Sequence, residues 1–159
     1  MNKKHLLLIL LLPFLVYSNT FFNSFIWDDE DLIVKNSQIK SLKNIPQFFI
    51  PQKDDPYRPL RKLLFALNFS FFGLKPGFYH LVNVSLHLLN LFLFYFLILE
   101  IFKDENLALF AALLFGVNPA WNEAIVWIKN SSDLVVTLFF LFSFKFYLNR
   151  KTFMSLVFL

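Results

Sequence analysis

Residues 79–102 form an apolar run interrupted by a single charged residue, Glu100. As a helix rising 1.5 Å per residue, this run is longer than the ~30 Å hydrocarbon core of a bilayer is thick. Three more apolar runs occupy residues 6–22, 107–118 and 133–148, and another begins at 152. Hydrophobic residues make up 57% of the 159-residue chain, above the roughly 45–50% of soluble domains. The sequence therefore predicts an all-α, polytopic membrane helix bundle. Cysteine is absent, so neither a disulfide nor a thiolate metal site can form. The net charge of +4 is spread along the chain without a basic block, which argues against a nucleic-acid partner.

The first run follows Lys3, Lys4 and His5 as a signal sequence would. A cleaved signal ends in small residues, and Val16-Tyr17-Ser18-Asn19-Thr20 does not supply them. Phe21, Phe22, Phe25 and Ile26 extend the run instead, so the sequence predicts an uncleaved anchor kinked at Pro13. The segment 27–78 reads as a long loop carrying amphipathic or re-entrant helices near 39–45 and 60–74. Lys75-Pro76-Gly77 ends the second of these. Residues 152–159 are apolar but too few to cross the hydrocarbon, and a longer protein with further spans is expected. Charge alone leaves the orientation open, because Lys3 and Lys4 before the first span are opposed by the many Lys and Arg residues of the long loop after it.

Four groups of residues could carry chemistry. Trp27-Asp28-Asp29 stands where the first run returns to water. The two acids are either a solvated loop or helix cap, a general base, or a Mg²⁺ or Mn²⁺ ligand pair. Tyr57-Arg58 lies between Pro56 and Pro59, which stiffen the turn that holds the guanidinium. That suits phosphate, or a cation reaching the membrane surface. His80, Asn83, His87 and Asn90 recur at spacings of three and four, on one face of the longest run. They act either as polar glue between helices or as the wall of a cavity, with His80 nearest the polar end. Glu123 lies between Trp121 and Trp127, with Lys129 just after. It is either part of an interfacial aromatic loop or a second acid near Asp28. The chain has no glycine-rich phosphate loop, G-x-S-x-G or H-E-x-x-H motif.

Taken in order, an apolar first span is followed by Trp27-Asp28-Asp29 with Ile33 and Asn36, then by Tyr57-Arg58-Pro59-Leu60. His80-Leu81-Val82-Asn83 with His87 comes next, then Asn118-Pro119 with Glu123, Val126-Trp127-Ile128 and Asp133-Leu134. This order resembles the amino-terminal part of GT-C-fold glycosyltransferases that use lipid-phosphate sugars. Within them it is most similar to the O-mannosyltransferase-like proteins with transmembrane and tetratricopeptide repeats. Two positions depart from the pattern: Asn118 precedes Pro119 where the family tends to have His, and Ser131 stands where it tends to have Arg. Either Lys129 takes over from that Arg or the donor site differs.

The resemblance implies a truncated GT-C-like bundle with its amino terminus in the cytoplasm and its site on the extracytoplasmic face of an inner or plasma membrane. It implies an inverting transfer of mannose or another hexose from a polyprenyl-phosphate donor to a protein or glycan hydroxyl. Asp28 or Asp29 would act at the acceptor, Arg58 at the donor phosphate, and Tyr57, His80, Glu123, Trp127 and Lys129 would contact substrate. A divalent cation is an optional addition, and membrane lipid is the remaining partner. The rival reading is a non-enzymatic multi-pass protein, either a transporter fragment or a scaffold.

Overall fold

A computed structural model describes residues 3–51, 56–150 and 152–158. Helices and helical turns dominate, and no strand occurs among the described residues. α1 (Lys3–Tyr17) runs on through a 3₁₀ turn at Ser18–Phe22. A short α2 (Ile45–Phe48) precedes α3 (Pro59–Phe72) and α4 (Pro76–Phe102). Then come α5 (Glu105–Gly116), α6 (Asn122–Val126), α7 (Ser131–Leu148) and α8 (Thr152–Val157). Three segments are long and apolar enough to cross a membrane: Lys3–Phe22, Pro76–Phe102 and Ile128–Leu148.

The expected span at 107–118 differs from expectation. α5 has only 12 residues, about 18 Å of helix. It passes as a span only jointly with Pro119–Val126, across a 47° bend. The cause is legible at the break. Pro119 cannot donate to the helix ladder, and the Asn118 side chain caps the new turn by accepting from the Ala120 amide. A broken helix in lipid leaves carbonyls that need donors, and the polar stripe of α4 supplies them. Asn83 Nδ2 donates to the Ile125 carbonyl and His87 Nε2 to that of Gly116, while Asn90 Nδ2 reaches a carbonyl within α7, that of Leu134. A carbonyl only accepts, so His87 carries its proton on Nε2. The stripe is thus the glue that holds α5, α6 and α7 against α4.

Close packing completes the bundle. Ile9, Pro13 and Tyr17 lie on the buried face of α1, while Leu7, Leu8, Leu11, Leu12 and Leu15 stay exposed, as a lipid-facing surface requires. At Gly116 an added Cβ would lie 2.9 Å from side-chain atoms of both Pro13 and Leu91. Glycine there lets α1, α4 and α5 touch. At Gly77 an added Cβ would lie 2.6 Å from the Phe21 carbonyl oxygen, so the start of α4 sits directly on the end of the first span.

The segment after the first span is folded. Ile33, Ile39 and Phe48 form a core with Phe65 and Ala66 of α3, Tyr79 of α4 and Ile128. The amphipathic helix expected at 39–45 is instead two 3₁₀ turns, Gln38–Lys40 and Leu42–Asn44, leading into α2. α3 buries polar side chains beside Phe65 and Ala66. Arg61, Lys62 and Asn68 are buried, whereas Leu60, Leu67 and Phe71 are exposed. That arrangement suits a helix lying in the lipid interface. It ends at Gly73, whose φ of +61° is readily adopted only by glycine. Lys75-Pro76-Gly77, expected to break this helix, instead opens α4, with Pro76 in the first turn where its missing N–H costs nothing.

Candidate functional site

The end of the first span meets the starts of α4 and α7 at one end of the bundle, and the acid pair sits there. Its two members do different work. Asp29 is 1% exposed. Its Oδ2 accepts from the Ile26 amide at 3.2 Å and its Oδ1 from the Lys129 amide at 2.9 Å. It caps no helix: although it precedes the turn Glu30–Val34, its side chain makes no capping bond there. Instead it clasps the first loop to a segment a hundred residues away in sequence. Burial pushes the Asp29 carboxyl above the usual carboxylate range, and the neighbouring Asp28 adds to the rise. The two amides and Lys129 pull it back.

Asp28 keeps 54% of its side chain exposed and its Oδ2 lies 2.7 Å from Lys129 Nζ. The same ammonium sits 4.2 Å from the centre of the Trp127 ring. Trp27 meets Trp127 edge-to-face at 5.3 Å. Trp27 itself has φ +48° and is 75% exposed. A bulky residue in the left-handed region costs on the order of 1–3 kcal/mol. The Asp29–Ile26 bond closes the turn around it. The cluster Trp27, Asp28, Asp29, Trp127 and Lys129 is therefore one contiguous unit, drawn from two distant segments.

A groove of about 340 Å³ is lined by Tyr57, Arg58, Arg61, Ser132 and Asp133 among others. Arg61 was not among the sequence candidates. It follows Arg58 by three residues, one helical turn, and is only 5% exposed. The groove shares Leu60 and Val136 with an apolar cleft of about 510 Å³ whose other walls include Phe139, Phe140 and Val157. A cationic mouth thus opens onto a greasy trough. Lys129 and Asp133 stand four residues apart on the turn into α7, so one short segment serves both the acid cluster and the groove.

Two expected members lie elsewhere. His80 is buried at the top of α4 beside the Asn23 backbone, with no well-formed hydrogen bond to either ring nitrogen, and it does not reach the cluster's surface. Glu123 is exposed on α6 and accepts from Asn130 Nδ2 at 3.3 Å. Its backbone carbonyl accepts from the Trp127 amide at 3.3 Å, but among the described residues its carboxylate is joined to none of Asp28, Asp29 or Lys129. A divalent cation does not fit the acid pair as arranged. Both Asp29 oxygens accept backbone amides, Lys129 holds Asp28, and among the described residues no three His, Cys, Asp or Glu side chains gather.

No family model matches the chain and no solved structure matches it. Curated relatives do. The chain is 31% identical over 160 residues to the protein O-mannosyl-transferase TMTC3 of Mus musculus, covering 94% of the chain. It is 36% identical over 151 residues to tmtc2 of Xenopus laevis, covering 87%. It is 42% identical over 96 residues to TMTC1 of Homo sapiens, covering 60%. These matches span only 17%, 18% and 11% of the respective relatives.

Proposed function

The chain is homologous to the TMTC protein O-mannosyl-transferases, and on that premise we propose that the intact protein is an inverting membrane hexosyltransferase. It moves mannose or another hexose from a polyprenyl-phosphate donor to a hydroxyl of a protein acceptor. The observation that carries this reading is one short segment, Lys129 to Asp133, whose first residue pairs with the exposed carboxylate of Asp28 and whose last lines a groove that is cationic at its mouth and apolar below. An isoprenoid phosphate is cationic-seeking at one end and greasy at the other. Arg58 and Arg61 suit the phosphate, since guanidinium forks match its oxygens, and the trough beyond Leu60 suits the chain.

In the proposed step the acceptor O–H gives its proton to the Asp28 carboxylate. The oxygen attacks the anomeric carbon from the face opposite the phosphate. The carbon–oxygen bond to phosphate breaks and its electron pair leaves on the lipid phosphate. Arg58 and Arg61 stabilise that charge, and phosphate leaves without a general acid. Lys129 holds Asp28 in place from below, and Asp29 holds Lys129. Asp28 is thus the base and Asp29 a positioning residue. Tyr57 completes the groove wall, and Trp127 lies against the Lys129 ammonium. The amino terminus lies in the cytoplasm and the cluster on the extracytoplasmic side, where protein acceptors arrive.

The test supplies the intact protein in lipid vesicles with a protein acceptor and either polyprenyl-phosphate mannose or a nucleotide-linked mannose. Transfer from the lipid donor alone, with the anomeric configuration inverted, is expected. Transfer from the nucleotide sugar, or from neither, would overturn the reading.

A further inference from the structure

Asp133 stands between two cavities. On one side is the groove of Arg58 and Arg61; on the other is a pocket of about 200 Å³ among α4, α5 and α7, walled by His87, Asn90, Trp121 and Thr137 among others. Its carboxylate makes one long contact, 3.5 Å to Ser132 Oγ, and no ion pair among the described residues. Acids in the first turn of a helix are ordinarily explained by the helix dipole. That explanation does not account for the second cavity or for Asn90. Asn90 is 1% exposed, spends its Nδ2 on the Leu134 carbonyl, and leaves Oδ1 without a partner among the described residues. The pocket therefore offers the Asp133 carboxylate, the Trp121 side chain, and a volume on the scale of one monosaccharide ring.

An ionised carboxylate only accepts hydrogen bonds and repels phosphate, so Asp133 is not there for the anion that Arg58 suits. A group rich in O–H donors and joined directly to that anion meets both requirements. Resting on the donor assigned above, we propose that Asp133 is the sugar-recognition residue. It accepts hydroxyls of the hexose while the phosphate stays at Arg58 and Arg61, and the ring projects into the pocket beside Trp121. The residue then sets which phosphate-linked sugar is held, and it takes no part in binding the lipid.

The experiment measures binding, not turnover, on the intact protein in nanodiscs. The probes are farnesyl phosphate and farnesyl-phosphate mannose. The wild type binds the sugar-bearing probe at least tenfold tighter than the bare phosphate. Asp133→Asn and Asp133→Ala bring the two affinities to within about twofold by weakening only the sugar-bearing probe. Arg58→Ala weakens both probes. Retained preference in both Asp133 variants, or equal loss of both probes, overturns the assignment while leaving the donor reading intact. Failure of Arg58→Ala to weaken either probe overturns the donor reading itself.

Discussion

Neighbouring acids of the same type should respond very unequally to the same substitution. In Asp29→Ala the amides of Ile26 and Lys129 lose their acceptor. A buried donor left unpaired costs about 1–3 kcal/mol. Both bonds are only partly buried, so water recovers part of this and about 1–1.5 kcal/mol each is the reasonable figure. Removing a carboxylate that burial disfavours returns some of the total. The net is about 2 kcal/mol, all of it local to the clasp. Asp28→Ala removes an ion pair whose acid is half exposed, and such pairs contribute about 0–1 kcal/mol. Hydrogen–deuterium exchange of the intact protein in nanodiscs reads these values directly. At 1.4 kcal/mol per tenfold, segments 24–30 and 126–131 should exchange roughly 30-fold faster in Asp29→Ala and less than about fivefold faster in Asp28→Ala. Equal loosening in both variants, or no change in Asp29→Ala, would refute the division of labour between them.

Other consequences follow from the packing. Gly77→Ala drives a Cβ into the Phe21 backbone carbonyl, which cannot rotate away. It should cost about 1–3 kcal/mol in thermal unfolding, and more than Gly116→Ala, whose new neighbours are side-chain atoms of Leu91 and Pro13. Asn83→Leu and Asn90→Leu should each cost about 0.6–1.7 kcal/mol, the range for hydrogen bonds between membrane helices, and Asn83→Leu, which frees a carbonyl of α6, should increase protease nicking near the α5–α6 break. The raised Asp29 carboxyl carries a signed pH effect. Because its folded-state value lies above its unfolded one, its contribution to stability is full below the unfolded value and is lost as pH rises through the folded value. The exchange of segment 126–131 should therefore quicken over that window in the wild type, after correction for intrinsic exchange rates, and stay flat in Asp29→Asn.

The long apolar helices were legible because lipid demands long apolar runs, and the shared face of Asn83, His87 and Asn90 because a spacing of three and four defines one, while glue and cavity wall both stayed open for it. The break in the third run was also signalled, at Asn118-Pro119, but a Pro there does not by itself say whether one span bends or two short helices form. What the sequence could not separate was Asp28 from Asp29. Their difference depends on the Lys129 amide and ammonium, a hundred residues distant, and no local pattern encodes that distance. The core of Ile33, Ile39 and Phe48 was hidden in the same way. It lies in short turns with no hydrophobic period, and only α3 and α4 reveal which residues face inward. His80 misled because its place near the polar end of α4 says nothing of what covers it. Asp133 appeared only as part of the family pattern, and the cavities on either side of it gave it a role.

The most direct test of the account is single-turnover transfer of mannose from polyprenyl-phosphate mannose to a protein acceptor, comparing the intact protein with its Asp28→Asn variant. Loss of at least a thousandfold in the transfer rate, with donor affinity and membrane insertion unchanged, is the predicted result. Transfer at a rate near that of the wild type would contradict the assignment of Asp28 as the base.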